Sequence, residues 1–275
     1  MSITLSKTEE QLTDNLMNKI SLKKDKDNLE KHVVNLSKTV ISLSKKFNVD
    51  LGDTKAKVVV ALDYSGSMSS LYRNGTVQNT LNRLIPLGLN FDDDNSIEVL
   101  LFQDDFIYME PINIDNYENY VNDIIYESKY SMGGTHYFQV LNAIINGERG
   151  KCFVKNKTRG VFGFMKGSSK IEETFVGPIV NKDIPTFVLF ITDGDNSDKN
   201  STDVLMKQAS NKNVFIQFIG IGSSEFCYLE KLDNLEGRIR DNTGFSKMAS
   251  LEKVNDEELY STVLSQFSEW LHGNQ

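Results

Sequence analysis

The run Lys57-Val58-Val59-Val60-Ala61-Leu62, followed at once by Asp63-Tyr64-Ser65-Gly66-Ser67-Met68, decides how this chain folds. Its apolar residues, mostly β-branched and uninterrupted, have the length and composition of a strand buried on both faces. The run stops at a carboxylate. Asp63, Ser65 and Ser67 stand at alternate positions, and in a tight turn leaving a strand such side chains can converge on one point. One carboxylate and two hydroxyls make an all-oxygen group, which suits a hard divalent cation better than zinc or copper. A second stretch repeats the pattern: Phe187-Val188-Leu189-Phe190-Ile191-Thr192 ends at Asp193-Gly194-Asp195. Two buried strands that each deliver an Asp at the C-terminal end predict one site shared between neighbours.

The bulk composition bounds the rest. A chain of 275 residues with 39% hydrophobic and 25% charged residues is globular, long enough for one large domain or a domain with an appendage. A formal net charge of −8 argues against general nucleic-acid binding. Cys152 and Cys227 lie far apart in sequence, which predicts neither a zinc ribbon nor a disulfide framework and fits a reduced, cytoplasmic setting. The N-terminus lacks the apolar core of a signal peptide, and no stretch approaches the length of a membrane span. The expectation is a soluble protein.

Along the chain, Leu12, Leu16 and Ile20 mark a first helix over residues 6–20. Leu29, Val33, Leu36, Val40, Leu43 and Phe47 then recur at spacings of four and three, an amphipathic helix with a narrow apolar seam. The seam either packs on the remainder of the chain or drives self-association; its short length favours packing. A linker over residues 48–55 leads into the first strand. Thr76 to Asn90 reads as a helix that Pro86 should kink or end near Ile85. Asp92-Asp93-Asp94-Asn95 reads as a solvated acidic turn before a second strand, Ile97 to Phe102, with Phe106 to Met109 as its antiparallel neighbour. Helices are expected over 116–127, 137–146, 201–210, 226–235 and 256–272. Strands are expected over 184–192, 214–219 and 244–248. Alternating strands and helices predict an α/β fold with a mostly parallel, doubly wound sheet.

Asp-Tyr-Ser-Gly-Ser after the first strand, Gly133-Gly134-Thr135, and Thr192-Asp193-Gly194 after a later strand together resemble the metal-ion-dependent adhesion site (MIDAS) of von Willebrand factor A (vWA) domains. The likeness covers roughly Lys57 to the C-terminus. Ser42-Leu43-Ser44-Lys45-Lys46 and Val188 to Gly194 further resemble the bacterial tellurite-resistance, TerF-type branch. The resemblance implies six strands in the order 3-2-1-4-5-6, a helical extension over residues 1–55 and a vWA domain over 56–275. In such a sheet the first and fourth strands are neighbours, and ligands bind in the crevice at their carboxyl ends. The resemblance further implies that Asp63, Ser65, Ser67, Thr135 and Asp193 bind Mg²⁺, with Mn²⁺ or Ca²⁺ as alternatives. A carboxylate from a protein partner then completes the coordination. The implied role is divalent-metal-dependent protein binding, set in a tellurite or toxic-anion stress-resistance system. His136 beside the site is read as a neighbour of the metal rather than a ligand.

Residues 147–183 depart from the vWA pattern. From Arg149 through Lys170 there are seven Lys or Arg (Arg149, Lys151, Lys155, Lys157, Arg159, Lys166 and Lys170) and no Asp or Glu. Short strands and turns are expected there, in an insertion that either docks an acidic surface, RNA or anionic lipid near the metal or is a solvated loop.

Other classes fit less well. Asp193 to Asp198 fails as an EF-hand loop, because Asp198 replaces the required Gly and Val204 the bidentate Glu. Ser65 replaces the second Asp of a phosphoaspartate phosphatase motif. There is no P-loop, since Gly167-Ser168-Ser169-Lys170 has the wrong order, and no G-x-S-x-G elbow surrounds Ser65. A metal-dependent hydrolase of phosphatase or nuclease type stays open as an alternative, though no general base accompanies the five groups. So does a purely structural oligomerisation protein. The expectation is a binding protein and not an enzyme.

Overall fold

The computed structural model describes residues 27–47, 55–92, 96–159, 165–180, 182–248 and 255–273. The helix expected over 6–20 and the linker expected over 48–55, Lys55 excepted, lie outside the described residues. So do Asp93, Asp94, Asn95 and the segment 160–164.

The central strands are β1 (Lys57–Asp63), β6 (Thr186–Thr192) and β7 (Val214–Ile221), buried at every position except Lys57. Burial on both faces is why these segments read as unbroken apolar runs rather than as alternating ones. Side chains nevertheless alternate in where they go. Val58, Val60 and Leu62 pack on one face with α1 (Asp27–Lys46), α3 (Thr76–Phe91) and α7 (Asp256–His272). Val59 and Ala61 pack on the other with α4 (Tyr137–Asn146), α5 (Lys199–Ala209) and α6 (Cys227–Asp233). A short helix, α2 (Ser69–Arg73), follows the first strand.

With β2 (Glu98–Phe102), β3 (Phe106–Tyr108), β4 (Glu148–Arg159), β5 (Met165–Val176) and β8 (Thr243–Met248), the strands form one eight-stranded sheet in the order β5-β4-β3-β2-β1-β6-β7-β8. All neighbours are parallel except β2/β3 and β4/β5. Without the β4/β5 pair the order is the expected 3-2-1-4-5-6, and β3 is antiparallel as expected. The expectation of six strands is therefore corrected to eight. The basic insertion is a hairpin whose two strands pair over twelve residues each and extend the sheet beyond β3. Its inner strand stands three strands from β1 and its outer strand four, about 14 Å and about 19 Å at ordinary strand spacing. Its positive charge is partly matched on the spot: Lys151 meets Asp105 at 3.1 Å, and Lys170 pairs with Glu172.

Helix α1 settles the use of the apolar seam. Leu36, Val40, Ile41 and Leu43 are buried in the same core as α3 and α7, and the Ser268 hydroxyl of α7 donates to the Phe47 carbonyl. The side chains of Leu29 and Val33 lie outside what is described. The seam as far as it is described thus faces the chain's own helices.

Two local expectations are corrected. Of the two outcomes expected at Pro86, a kink or an end near Ile85, the end does not occur: α3 continues to Phe91. Leu84, Ile85, Leu87 and Phe91 are all buried, and that apolar packing outweighs the one hydrogen bond a proline removes. Asp92 is not solvated. It is 3% exposed, accepts the Val58 N–H at 3.1 Å and lies 3.6 Å from the Lys57 ammonium, so it ties the end of α3 to the start of β1. The helix expected over 116–127 forms with uneven pitch, a π-helical turn at Val121–Ile125 between two 3₁₀ turns.

Among the described residues, no helix is long and apolar enough to cross a membrane.

Candidate metal centre

The register pairs Leu62 of β1 with Ile191 of β6, so both strands leave the sheet at one level, Asp63 beside Thr192 with Asp193 one residue beyond. Asp63 is fully buried at the floor of the crevice. Its Oδ1 accepts the Ser65 N–H at 2.7 Å, which closes the turn after β1, and its Oδ2 accepts the Thr192 hydroxyl at 2.6 Å. Tyr72 from α2 donates to the Asp63 carbonyl at 2.9 Å and fixes the backbone. The Ser65 and Ser67 hydroxyls are 3.0 Å apart, and Ser67 donates to Asp193 Oδ1 at 2.8 Å. Asp63, Ser65, Ser67 and Asp193 therefore form one connected patch. It rises from a buried floor to Ser67 and Asp193 at the surface.

Thr135 is beside this patch but not hydrogen-bonded to it. The Gly133 carbonyl accepts the Gly66 N–H at 3.0 Å, which brings the second loop against the first. The Thr135 carbonyl accepts the Ser197 N–H at 2.9 Å. Its side chain is half-buried, and its hydroxyl has no hydrogen-bond partner among the described residues.

Further groups hold the loops of the patch in place. Asp198 spans two loops: its Oδ1 accepts the Tyr137 N–H at 3.0 Å and its Oδ2 the Phe138 N–H at 2.8 Å. The first turn of α4 is thereby capped across the site by Asp198. A carboxylate there satisfies orphan N–H groups and complements the helix dipole. Asp198→Ala should cost about 1–2 kcal/mol in chemical denaturation, the range for losing a helix cap. Asp104, in the β2–β3 turn, accepts the Gly134 N–H at 2.9 Å. The paired glycines make this approach: a Cβ at Gly134 would stand 2.3 Å from Asp104 Oδ1. His136 faces that turn, with Nδ1 3.2 Å from the Asp104 carbonyl oxygen. Tyr137 reaches back from α4 to donate to the Gly194 carbonyl at 2.5 Å, with Thr192 Oγ1 at 3.2 Å.

The electrostatics of the patch are one-sided. Burial pushes the Asp63 carboxyl up to about 6, against hydrogen bonds from Thr192 and Ser65 that pull it down; the nearby Asp193 raises it further. Burial likewise raises Asp193 from its ordinary value, with the Ser67 hydrogen bond opposing. Among the described residues neither carboxylate has a Lys, Arg or His partner within 4.0 Å. Nor do three or more His, Cys, Asp or Glu side chains converge there or elsewhere among those residues, so any ion at this place depends on hydroxyls as well as carboxylates. Adjacent ligands of an octahedral Mg²⁺ lie about 2.9 Å apart, from metal–oxygen distances of about 2.0–2.1 Å. The 3.0 Å and 2.8 Å steps from Ser65 to Ser67 to Asp193 fit that spacing.

Comparison with known proteins places the chain. The vWA-TerF-like family, described as the vWA found in the TerF C terminus, matches residues 55–275. The chain belongs to the vWA-TerF-like family. A relative from Bacillus subtilis (strain 168), the uncharacterized protein YcbR, is 32% identical over 216 residues, covering 78% of this chain and 77% of its own. Among solved structures, proximal thread matrix protein 1 from the mussel byssus, with a zinc-occupied MIDAS motif, is 14% identical with a TM-score of 0.43. That alignment covers 83% of this chain and 52% of the mussel chain, about half its length. The ArnB paralog VWA2 from Sulfolobus acidocaldarius is 14% identical with a TM-score of 0.34, over 77% of this chain and 45% of that one. Within the vWA-TerF-like span lie every strand of the sheet and both loops that carry the carboxylates.

Proposed function

We propose that this vWA-TerF-like chain is a divalent-cation-dependent protein-binding module, not an enzyme. The observation that carries the reading is the pair of strand-end carboxylates, Asp63 and Asp193, joined by hydroxyls and facing no protein cation among the described residues. Such a pair is costly to keep charged without a counterion. Asp63, Ser65, Ser67, Thr135 and Asp193 would hold Mg²⁺ or Mn²⁺. When bound, the ion supplies positive charge at the rim of the crevice, where a carboxylate of a protein partner is the fitting ligand. The chain's own part is to fix the loops: Asp198 and Tyr137 lock the β6 loop to α4, and Asp104 holds the Gly133-Gly134 turn. The proposal extends to a role in tellurite or toxic-anion resistance, which the likeness to the TerF C terminus supports, and to a cytoplasmic setting.

The test is capture of partner protein from a bacterial lysate by the immobilised chain. Capture should require Mg²⁺, be reversed by EDTA, and be lost in Asp63→Ala. Capture indifferent to EDTA and to the substitution would overturn the reading. Metal-dependent phosphatase or nuclease turnover, lost in Asp63→Ala, would replace it with the hydrolase.

A further inference from the structure

Strand β5 ends the sheet. It pairs with β4 on one side, and among the described residues no strand pairs with its other side. An open edge presents a row of unpaired backbone N–H and C=O groups, which natural proteins ordinarily cover or blunt. Here residues Ser169 to Phe175 are all exposed, with Ile171 at 42% and Phe175 at 62%. The edge carries both signs of charge, and they are segregated. Lys166 and Lys170 lie in its first half, and Glu172 and Glu173 in its second.

We propose that the β5 edge is the docking surface for a second copy of this chain, joined antiparallel about a two-fold axis through Ile171. The argument is one of register. A two-fold axis normal to the sheet keeps each side chain on its own face, so each residue meets one of the same parity. Centring on Lys170 sets Lys170 against Lys170, and centring on Glu172 sets Glu172 against Glu172. Both place like charges directly opposite, which destabilises the pair. Centring on Ile171 sets Lys170 against Glu172 twice, once on each side of the axis. It brings the two exposed Ile171 side chains together. It also lays Phe175 across Gly167, where an aromatic ring covers the gap left by a glycine in the opposite strand. A further slip, centred on Ser169, sets Phe175 beyond Met165, outside the described strand. Charge and apolar cover therefore favour one register.

The edge also has support beside it. The turn Tyr126–Ser128 lies against β5, and Tyr126 is 39% exposed, which adds apolar surface next to the joint. The seam of α1 is a different surface, buried against α3 and α7 as far as it is described, so this joint is independent of a coiled coil. Because Lys170 and Glu172 are also paired within one strand, exchanging both charges preserves contacts within and between copies.

Sedimentation velocity of the full chain over a concentration series tests the assignment, with EDTA present to separate it from the metal site. The wild type should rise from the 31.1 kDa monomer towards twice that mass. Lys170→Glu should remain monomeric, and so should Glu172→Lys, while the double exchange of Lys170→Glu with Glu172→Lys should recover the dimer. These exposed positions leave the monomer folded, which circular dichroism checks. A wild type that stays monomeric throughout overturns the proposal. So does a dimer that survives both single substitutions, or one that the double exchange fails to restore.

Discussion

Asp63→Asn should raise the unfolding temperature of the ion-free protein at pH 7.5. Asp63 is buried with a carboxyl pushed up to about 6, above its ordinary 3.8. Between those values the folded chain keeps a proton that the unfolded chain gives up, so stability falls as pH rises through that window. The advantage of the neutral carboxyl is complete below the unfolded value and lost once pH passes about 6. At pH 7.5 the buried charge costs about 3 kcal/mol. Asparagine removes the charge and retains an acceptor for the Ser65 N–H, while its amide can face the Thr192 hydroxyl, which is free to rotate. Thermal unfolding in EDTA from pH 4 to pH 8 checks this. The wild type should lose stability across the interval, and the Asn variant should lack that component. A wild type equally stable at both ends, or an Asn variant less stable than it at pH 7.5, would remove the buried-charge account.

Val40→Asp should be the most damaging single change outside the site. Val40 is fully buried in α1, in the core shared with α3 and α7. An aspartate there loses the valine's packing and brings a carboxylate into an apolar contact, so the variant should lose at least about 3 kcal/mol. Urea denaturation reads the loss directly. If the variant kept wild-type stability, α1 would be an appendage rather than part of the fold.

What the sequence made legible follows from where each element draws its stability. β1 and β6 are buried on both faces, so their burial is written locally as apolar runs, and the Asp at each end marks where burial stops. The seam of α1 was readable for the same reason, since periodicity reports a buried helical face. The long hairpin was not. Lys155, Lys157 and Arg159 alternate as strand residues do, but the charged run carries little apolar pattern, and the residues of β4 pair with residues of β5 from six to twenty-eight positions away. Pro86 misled because local propensity argues for a stop, and tertiary packing of Leu84, Ile85 and Leu87 overrides it. Asp92 looked like one of three solvated carboxylates; only the register of β1 gives it the Val58 N–H.

The site divides along the same line. Asp63, Ser65, Ser67 and Asp193 were legible because a turn after a strand is a local motif, and the structure joins them in one hydrogen-bonded patch. The groups that hold the patch in place, Asp198, Asp104, Thr192 and Tyr137, act across loops far apart in sequence. Thr192 belongs to the quoted motif, but nothing in the neighbourhoods of Asp104 and Tyr137 announces those roles. Thr135 is the intermediate case: its loop is held against Gly66, yet its hydroxyl does not join the patch.

Calorimetric titration with Mg²⁺ tests the central claim most directly. The wild type should bind one ion at a single site, and Asp63→Ala, titrated under the same conditions and shown to be folded, should give no binding heat. Equal binding by the two proteins would contradict the assignment of the ion to this crevice.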